Sequence, residues 1–210
     1  QDEVRALSDQ INYLSNVTAS ETTGLSEILT KVGSLGDVAG LSASSILALG
    51  TTMTSVGVGS DVAATGIKNF MLSLVAGEAA TKSQREAYKK LGLDSEQVSK
   101  DMQKDSEKTI LKVLQGVSKL SKAEQATTLQ QLFGKESIGA IAPLLTNLDN
   151  LKNNLDAVSD STKYAGSMQK EFEARKDLNI PLEQFLVRKS NNSFYNTSNF
   201  TLSKLMADSN

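Results

Sequence analysis

Asp101 and Asp105 stand four residues apart, a spacing that puts two carboxylates on one helix face, where they could share a proton or hold a divalent cation. Lys100, Lys104 and Lys108 surround them, so a solvated face of mixed charge is the expected reading. Glu171 and Glu173, beside Lys170 and Arg175, are read the same way. Lys82, Arg85, Lys89 and Lys90 form a basic set that could contact phosphates. Glu78, Glu86, Asp94 and Glu96 lie among them, and an exposed helix kept soluble by both signs is expected instead. Gly57-Val58-Gly59 supplies two glycines of a dinucleotide loop but lacks the third glycine, a preceding strand and a downstream ribose-binding acid. It reads as a helix-to-helix turn. No Walker-type lysine follows a glycine loop. Asn16, Asn191, Asn196 and Asn199 match the glycosylation pattern, a chance match in an Asn/Ser-rich chain without a secretory signal.

Composition narrows the chemistry further. The 210 residues include no cysteine and no histidine. That removes disulfides, thiolate metal sites, a cysteine nucleophile, the usual general base near neutral pH and the commonest zinc ligand. With 22 basic and 24 acidic residues the net charge is -2, so no global field draws in nucleic acid and no specific site for it is evident. No catalytic, cofactor-binding or metal-binding residue is assigned, and the chain is not read as an enzyme. Residues 1–20 lack the basic start and apolar run of a signal peptide. Residues 38–60 are uncharged but contain eight Ser or Thr, too polar for a clear transmembrane helix. The chain begins with Gln1 rather than Met and is expected to be an excised or processed piece of something longer.

The elements that would carry these residues are helical. Pro143 and Pro181 are the two prolines, and the chain has ten aromatic residues and no Trp, which favours helices over a β-sandwich. Val4, Leu7, Ile11 and Leu14 make one helical stripe, and Leu25, Ile28, Leu29 and Val32 a second, before Gly33, Gly36 and Gly40 punctuate a loop. Ser42 is an expected N-cap for a helix with Ile46, Leu49, Met53 and Val56 inward, and Ser60 or Asp61 for one burying Val62, Ile67, Phe70, Met71 and Leu74 and stopping at Gly77. These two helices are poor in charge and rich in small residues, so they are expected to pack on each other or on a partner. A mixed-charge region follows. A helix over 83–91 stops at Gly92, Asp94 with Gln97 resembles a capping box, and Asp105 caps a helix with Ile110, Leu111, Leu114, Val117 and Leu120 on its apolar face. Ser121 and Glu124 form a cleaner box ahead of Leu129, Leu132 and Phe133. Ser137 starts the next helix, which Pro143 should bend or break. Leu144, Leu148, Leu151, Leu155 and Val158 give a near-heptad stripe, and a final helix carries Tyr164, Met168 and Phe172. The Asn/Ser-rich run at 190–199 is expected to be weakly ordered, with short helices at 182–187 and 202–206. The fold class is therefore all-α, an array of short amphipathic helices with a poorly ordered C-terminal tail.

Three runs carry a family likeness: LSLVAGEAATKSQREAY at 72–88 with LGLD at 91–94, TILKVL at 109–114, and LQQLFGKESIGAIAPLL at 129–145. Together they closely resemble the core region of tail tape-measure proteins of long-tailed phages and prophages, the phage-related minor tail protein family. The resemblance covers roughly residues 10–176; the 133–145 segment is its most specific part, and 41–66 also fits. It implies a long helical protein inside the tail tube that sets tail length during assembly and is released during DNA delivery. It offers no catalytic residues to carry over. After Asp177 the family continues into amphipathic helix, whereas this chain turns Asn-rich, which suggests a truncation or frameshift product.

The expected organisation is an N-terminal pair of helices at 1–40 that continue a longer rod, a tape-measure core at 41–178 and a divergent tail at 179–210. Expected partners are further copies of the chain and tail-tube or tail-assembly proteins, in the virion tail and, during assembly, in the host cytoplasm. The alternative is a membrane-interacting helical module or effector at the host envelope, in transient contact with a bilayer through the small-residue helices.

Overall fold

Residues 2–176 are described in a computed structural model, and every regular element among them is helical. In chain order these are α1 (Asp2–Val17), α2 (Thr22–Ala39), α3 (Ala43–Thr54), α4 (Ser60–Leu74), α5 (Lys82–Lys90) and α6 (Ser95–Lys104). Then come α7 (Ser106–Ser118), α8 (Lys122–Phe133), α9 (Ile138–Thr146), α10 (Leu148–Ser159), α11 (Ser161–Tyr164) and α12 (Ser167–Lys176). Short 3-10 turns at Gly77–Ala79 and Lys135–Ser137 precede α5 and α9. The all-α array of short helices is what forms. The tail at 179–210 and its two expected helices lie outside the described residues. The helices as far as Met168 make one compact unit, and the chain from Gln169 belongs to another.

Local chemistry sets most boundaries. Ser42 Oγ accepts from the Ser45 amide at 3.0 Å, Asp94 from the Glu96 and Gln97 amides, and Asp105 from the Lys108 amide. Ser121 and Glu124 complete a reciprocal box at the start of α8. Each cap contributes about 1 kcal/mol. At Asp94 only half of the expected box exists, because the Gln97 side chain turns outward to Asp101. Neither Ser60 nor Asp61 caps α4. Gly59 holds the N-cap position, Ser60 donates to Glu27 and Asp61 pairs with Lys31. A box absent from the sequence reading, Thr81 with Gln84, starts α5 one residue early.

The expected loop at Gly33 and Gly36 is wrong. Both glycines lie inside α2, which runs on to Ala39. Gly36 is there for close approach: a Cβ on it would lie 2.5 Å from the Leu41 carbonyl oxygen and 2.9 Å from Ile46 Cδ1. Gly40, at φ +71°, supplies the left-handed turn, and the Leu41 amide closes back on the Gly36 carbonyl at 2.8 Å. Pro143 does not break α9, which continues to Thr146. The break comes at Asn147, whose amide side chain donates to the Pro143 carbonyl at 2.8 Å and which splits the expected Leu144–Val158 stripe between α9 and α10.

The core is organised around α3. Every residue from 45 to 53 is buried, so this Ser/Thr/Gly-containing helix has no solvated face. It contacts α1, α2, α4, α9 and α10. Small residues let those neighbours in: a Cβ on Gly50 would meet Ile28 Cδ1 at 3.0 Å. On the next interface, a Cβ on Gly66 would stand 2.3 Å from that of Ala140, so α4 and α9 meet where the Ala140 methyl leaves no room for a side chain at 66. Ile46, Leu47, Leu49 and Met53, all essentially unexposed, each contribute about 1.5–3 kcal/mol of burial.

Five expected core residues are not in the core. Val4, Val56, Val62, Met168 and Phe172 are exposed. Val4 precedes the first buried position of α1, Val56 follows the last turn of α3, and Val62 sits one residue off the Ala63, Ile67, Phe70, Leu74 row of α4. The final helix is also divided, because Gly166, at φ +73°, separates α11 from α12. Leu120, Leu29 and Tyr164 are only partly buried, whereas Val113 of α7 is fully buried.

Candidate functional site

The buried side of α1 joins an apolar stripe, Leu7, Ile11 and Leu14, to a polar one. Asp9, Gln10 and Asn12 are buried together with Leu14, and all three have partners at the far end of the unit. Asp9 accepts from the backbone amides of Gly166 at 2.9 Å and Met168 at 3.0 Å. Gln10 donates to the Val158 carbonyl at 3.0 Å and accepts from Ser44 at 2.9 Å. Asn12 donates to Ser167 Oγ at 2.9 Å. Deeper, Asn154 of α10 donates to Thr52 of α3 at 3.0 Å. A carboxylate that answers two amides at the start of a helix does the work of an N-cap from another element. The result is a clasp between the beginning and the end of the unit.

A second set of bonds ties α4 and α5 to α8. Gln84, already closing the box at Thr81, also donates to Ser73 Oγ at 2.8 Å and to the Leu132 carbonyl at 3.0 Å. Ser73 Oγ donates to that same carbonyl. Tyr88 donates to the Ser73 carbonyl at 3.2 Å, and burial holds its phenol well above the ordinary tyrosine range. Asn69 donates to Ser137 Oγ at 2.8 Å, and the rings of Phe70 and Phe133 pack with centroids 4.8 Å apart. The runs at 72–88 and 129–145, far apart in sequence, thus meet in one hydrogen-bonded knot.

Several of the residues singled out for chemistry have partners of their own. Asp101 and Asp105 do line one shallow groove, with Lys104, Lys108 and Lys112. Asp105 is committed to its cap, and Asp101 accepts from Gln97 at 2.7 Å. In the basic set, Lys82 faces Glu86 at 3.9 Å and Lys90 faces Glu124 at 3.0 Å, while Arg85 donates to the carbonyls of Ala80 and Glu78. The Ser121 hydroxyl and then Lys90 pull the Glu124 carboxyl down to about 2. Lys31, between Asp61 and Glu27, is held above the ordinary lysine range, and Glu27, bonded to Lys31 and Ser60, below the carboxylate range. Glu173 accepts from Gln169 at 2.7 Å. Gly57 is the helix-to-helix turn, at φ +91°, and Asn16 lies in the last turn of α1.

Among the described residues no group of three or more acidic side chains is placed to hold a metal ion. No described helix is long and apolar enough to cross a membrane, and α3, the most apolar part of the small-residue pair, is walled off by its neighbours. The membrane-module alternative is not favoured. The clasp and the knot fix short helices into one body.

The sequence reading missed Asp9, Gln10, Asn12, Thr52, Ser73, Gln84 and Asn154. Only Gln84 had a local signal, the Thr81-x-x-Gln84 pattern. The partners of the others lie elsewhere in the chain.

The family model described as phage-related minor tail protein matches residues 1–134. A protein of Halomonas phage phiHAP-1 named "Probable tape measure protein" is 40% identical over 176 residues, which cover 84% of this chain. The chain spans about a fifth of that relative's length, 20%. No solved structure matches. With 134 residues under the family model and a relative of this identity over most of its length, the chain belongs to the phage-related minor tail protein family, whose members are structural components of phage tails.

Proposed function

We infer that this chain is a segment of a tape-measure protein, one that sets the length of a phage tail as the tail is assembled and is released when DNA is delivered. The observation that carries the reading is the extended identity to a phage protein named for that role. The helical build supports it, because an α-helix converts residues into length at about 1.5 Å each. In this reading residues 41–178 are the core, 1–40 pack with it and join it to a rod through the start of α1, and 179–210 follow. Its partners are further copies and the tube or assembly proteins, in the host cytoplasm during assembly and in the virion tail afterwards. In-frame deletion of rod-forming helix from the full-length gene tests it by electron microscopy of tails. Proportional shortening is expected, and unchanged tails would defeat the mechanism.

A further inference from the structure

We propose that the stretch between Asp9 and Gly166 adds almost nothing to the length that the protein measures. This rests on the tape-measure reading and refines it. Asp9 and Gly166 are 157 residues apart in sequence yet hydrogen-bonded at 2.9 Å, and the bond is one of a set. Asp9 also holds Met168, Gln10 holds Val158, and Asn12 holds Ser167. Chain that enters through α1 therefore returns to α1 before it leaves. As continuous helix the same residues would span about 235 Å at 1.5 Å each; as folded they advance the path by one hydrogen bond. Residue count and tail length then separate: the residues outside the clasp measure, and those inside it form a side body carried by the tape.

The experiment is a comparison of deletions in the full-length gene of the phage that carries it. One removes residues 10–165 through a short Gly-Ser joint; the other removes an equal number of residues from uninterrupted helix elsewhere in the protein. Tails shorter by about 235 Å are expected from the second and tails of nearly parental length from the first. Equal shortening by both overturns the inference while leaving the tape reading intact. No shortening by either sinks the tape reading itself. Where the first deletion yields no tails, an in-frame tandem copy of residues 2–168 removes nothing and should leave length almost unchanged. Lengthening by about 250 Å would overturn the inference. A third measurement needs no tail. The chain has no native cysteine, so spin labels at Ser8→Cys and Ser161→Cys report one distance. A value within about two helix diameters, ~20 Å, is expected, and a broad distribution far beyond it overturns the clasp.

Discussion

The Asp9 carboxylate accepts the backbone amide of Met168 at 3.0 Å across 159 residues of sequence. Asp9 is buried and its two bonds are partly so, and its loss leaves the Gly166 and Met168 amides without their carboxylate acceptor. Asp9→Ala is expected to destabilise the unit by about 2 kcal/mol. Urea unfolding measures the loss, and hydrogen exchange should quicken at Gly166 and Met168 before the α3 amides respond. Equal quickening throughout would mean that the clasp is not a separate lock.

Glu124 links stability to acidity. Its folded value of about 2 lies below the ordinary 4.5. A carboxylate depressed in this way adds stability that is complete above pH 4.5 and lost as pH falls through about 2. Glu124→Gln should therefore lower the urea midpoint at pH 6 and leave it little changed near pH 2, relative to the parent. Ser121→Ala removes the cap partner and should cost about 1 kcal/mol at neutral pH. A Glu124→Gln effect that grew toward low pH would contradict the assignment.

The α4–α9 contact predicts a non-additive pair. Gly66→Ala forces two methyl groups to 2.3 Å and should cost about 1–3 kcal/mol through displaced helices. Ala140→Gly costs about 0.5–1 kcal/mol as a helix glycine. In the double variant the Ala140 methyl is gone, so the clash is relieved and a coupling of about 1 kcal/mol is expected. Thermal or urea unfolding of the four proteins measures it. Additive losses would show that the helices part easily.

Tyr88 should stay protonated in the folded chain where an unfolded tyrosine ionises. Unfolded, its phenol titrates near 10; folded, burial raises that value, so stability is complete below pH 10 and declines above it. Absorbance at alkaline pH should show one phenol that ionises only on unfolding. Tyr88→Phe should remove that late step and cost about 1 kcal/mol for the bond to Ser73.

What could be read from residue order was the local chemistry. Ser42, Asp105 and Ser121 cap the helices that their positions announced, because a cap is settled within three residues. Ile46, Phe70, Leu114 and Leu132 fell inside for the same short-range reason. Failures cluster where a distant neighbour decides. Gly36 looked like a loop until Ile46 pressed on it, and Val62 looked buried because nothing nearby told which side α4 would hide. Of the clasp, almost nothing was visible. Asp9, Gln10 and Asn12 resemble the wet side of an amphipathic helix, and what makes them interior is backbone and one serine hydroxyl more than 140 residues on.

The polar stripe of α1 has a consequence for synthesis. At translation speeds of about 5–20 residues per second, Met168 leaves the ribosome roughly 8–30 s after Asp9, a gap of 159 residues. The apolar stripe of α1, Leu7, Ile11 and Leu14, packs on the core that α2 and α3 begin, and those helices follow it closely in the chain. Asp9, Gln10 and Asn12 wait hydrated, and their bonds to Val158, Gly166, Ser167 and Met168 close when those residues emerge.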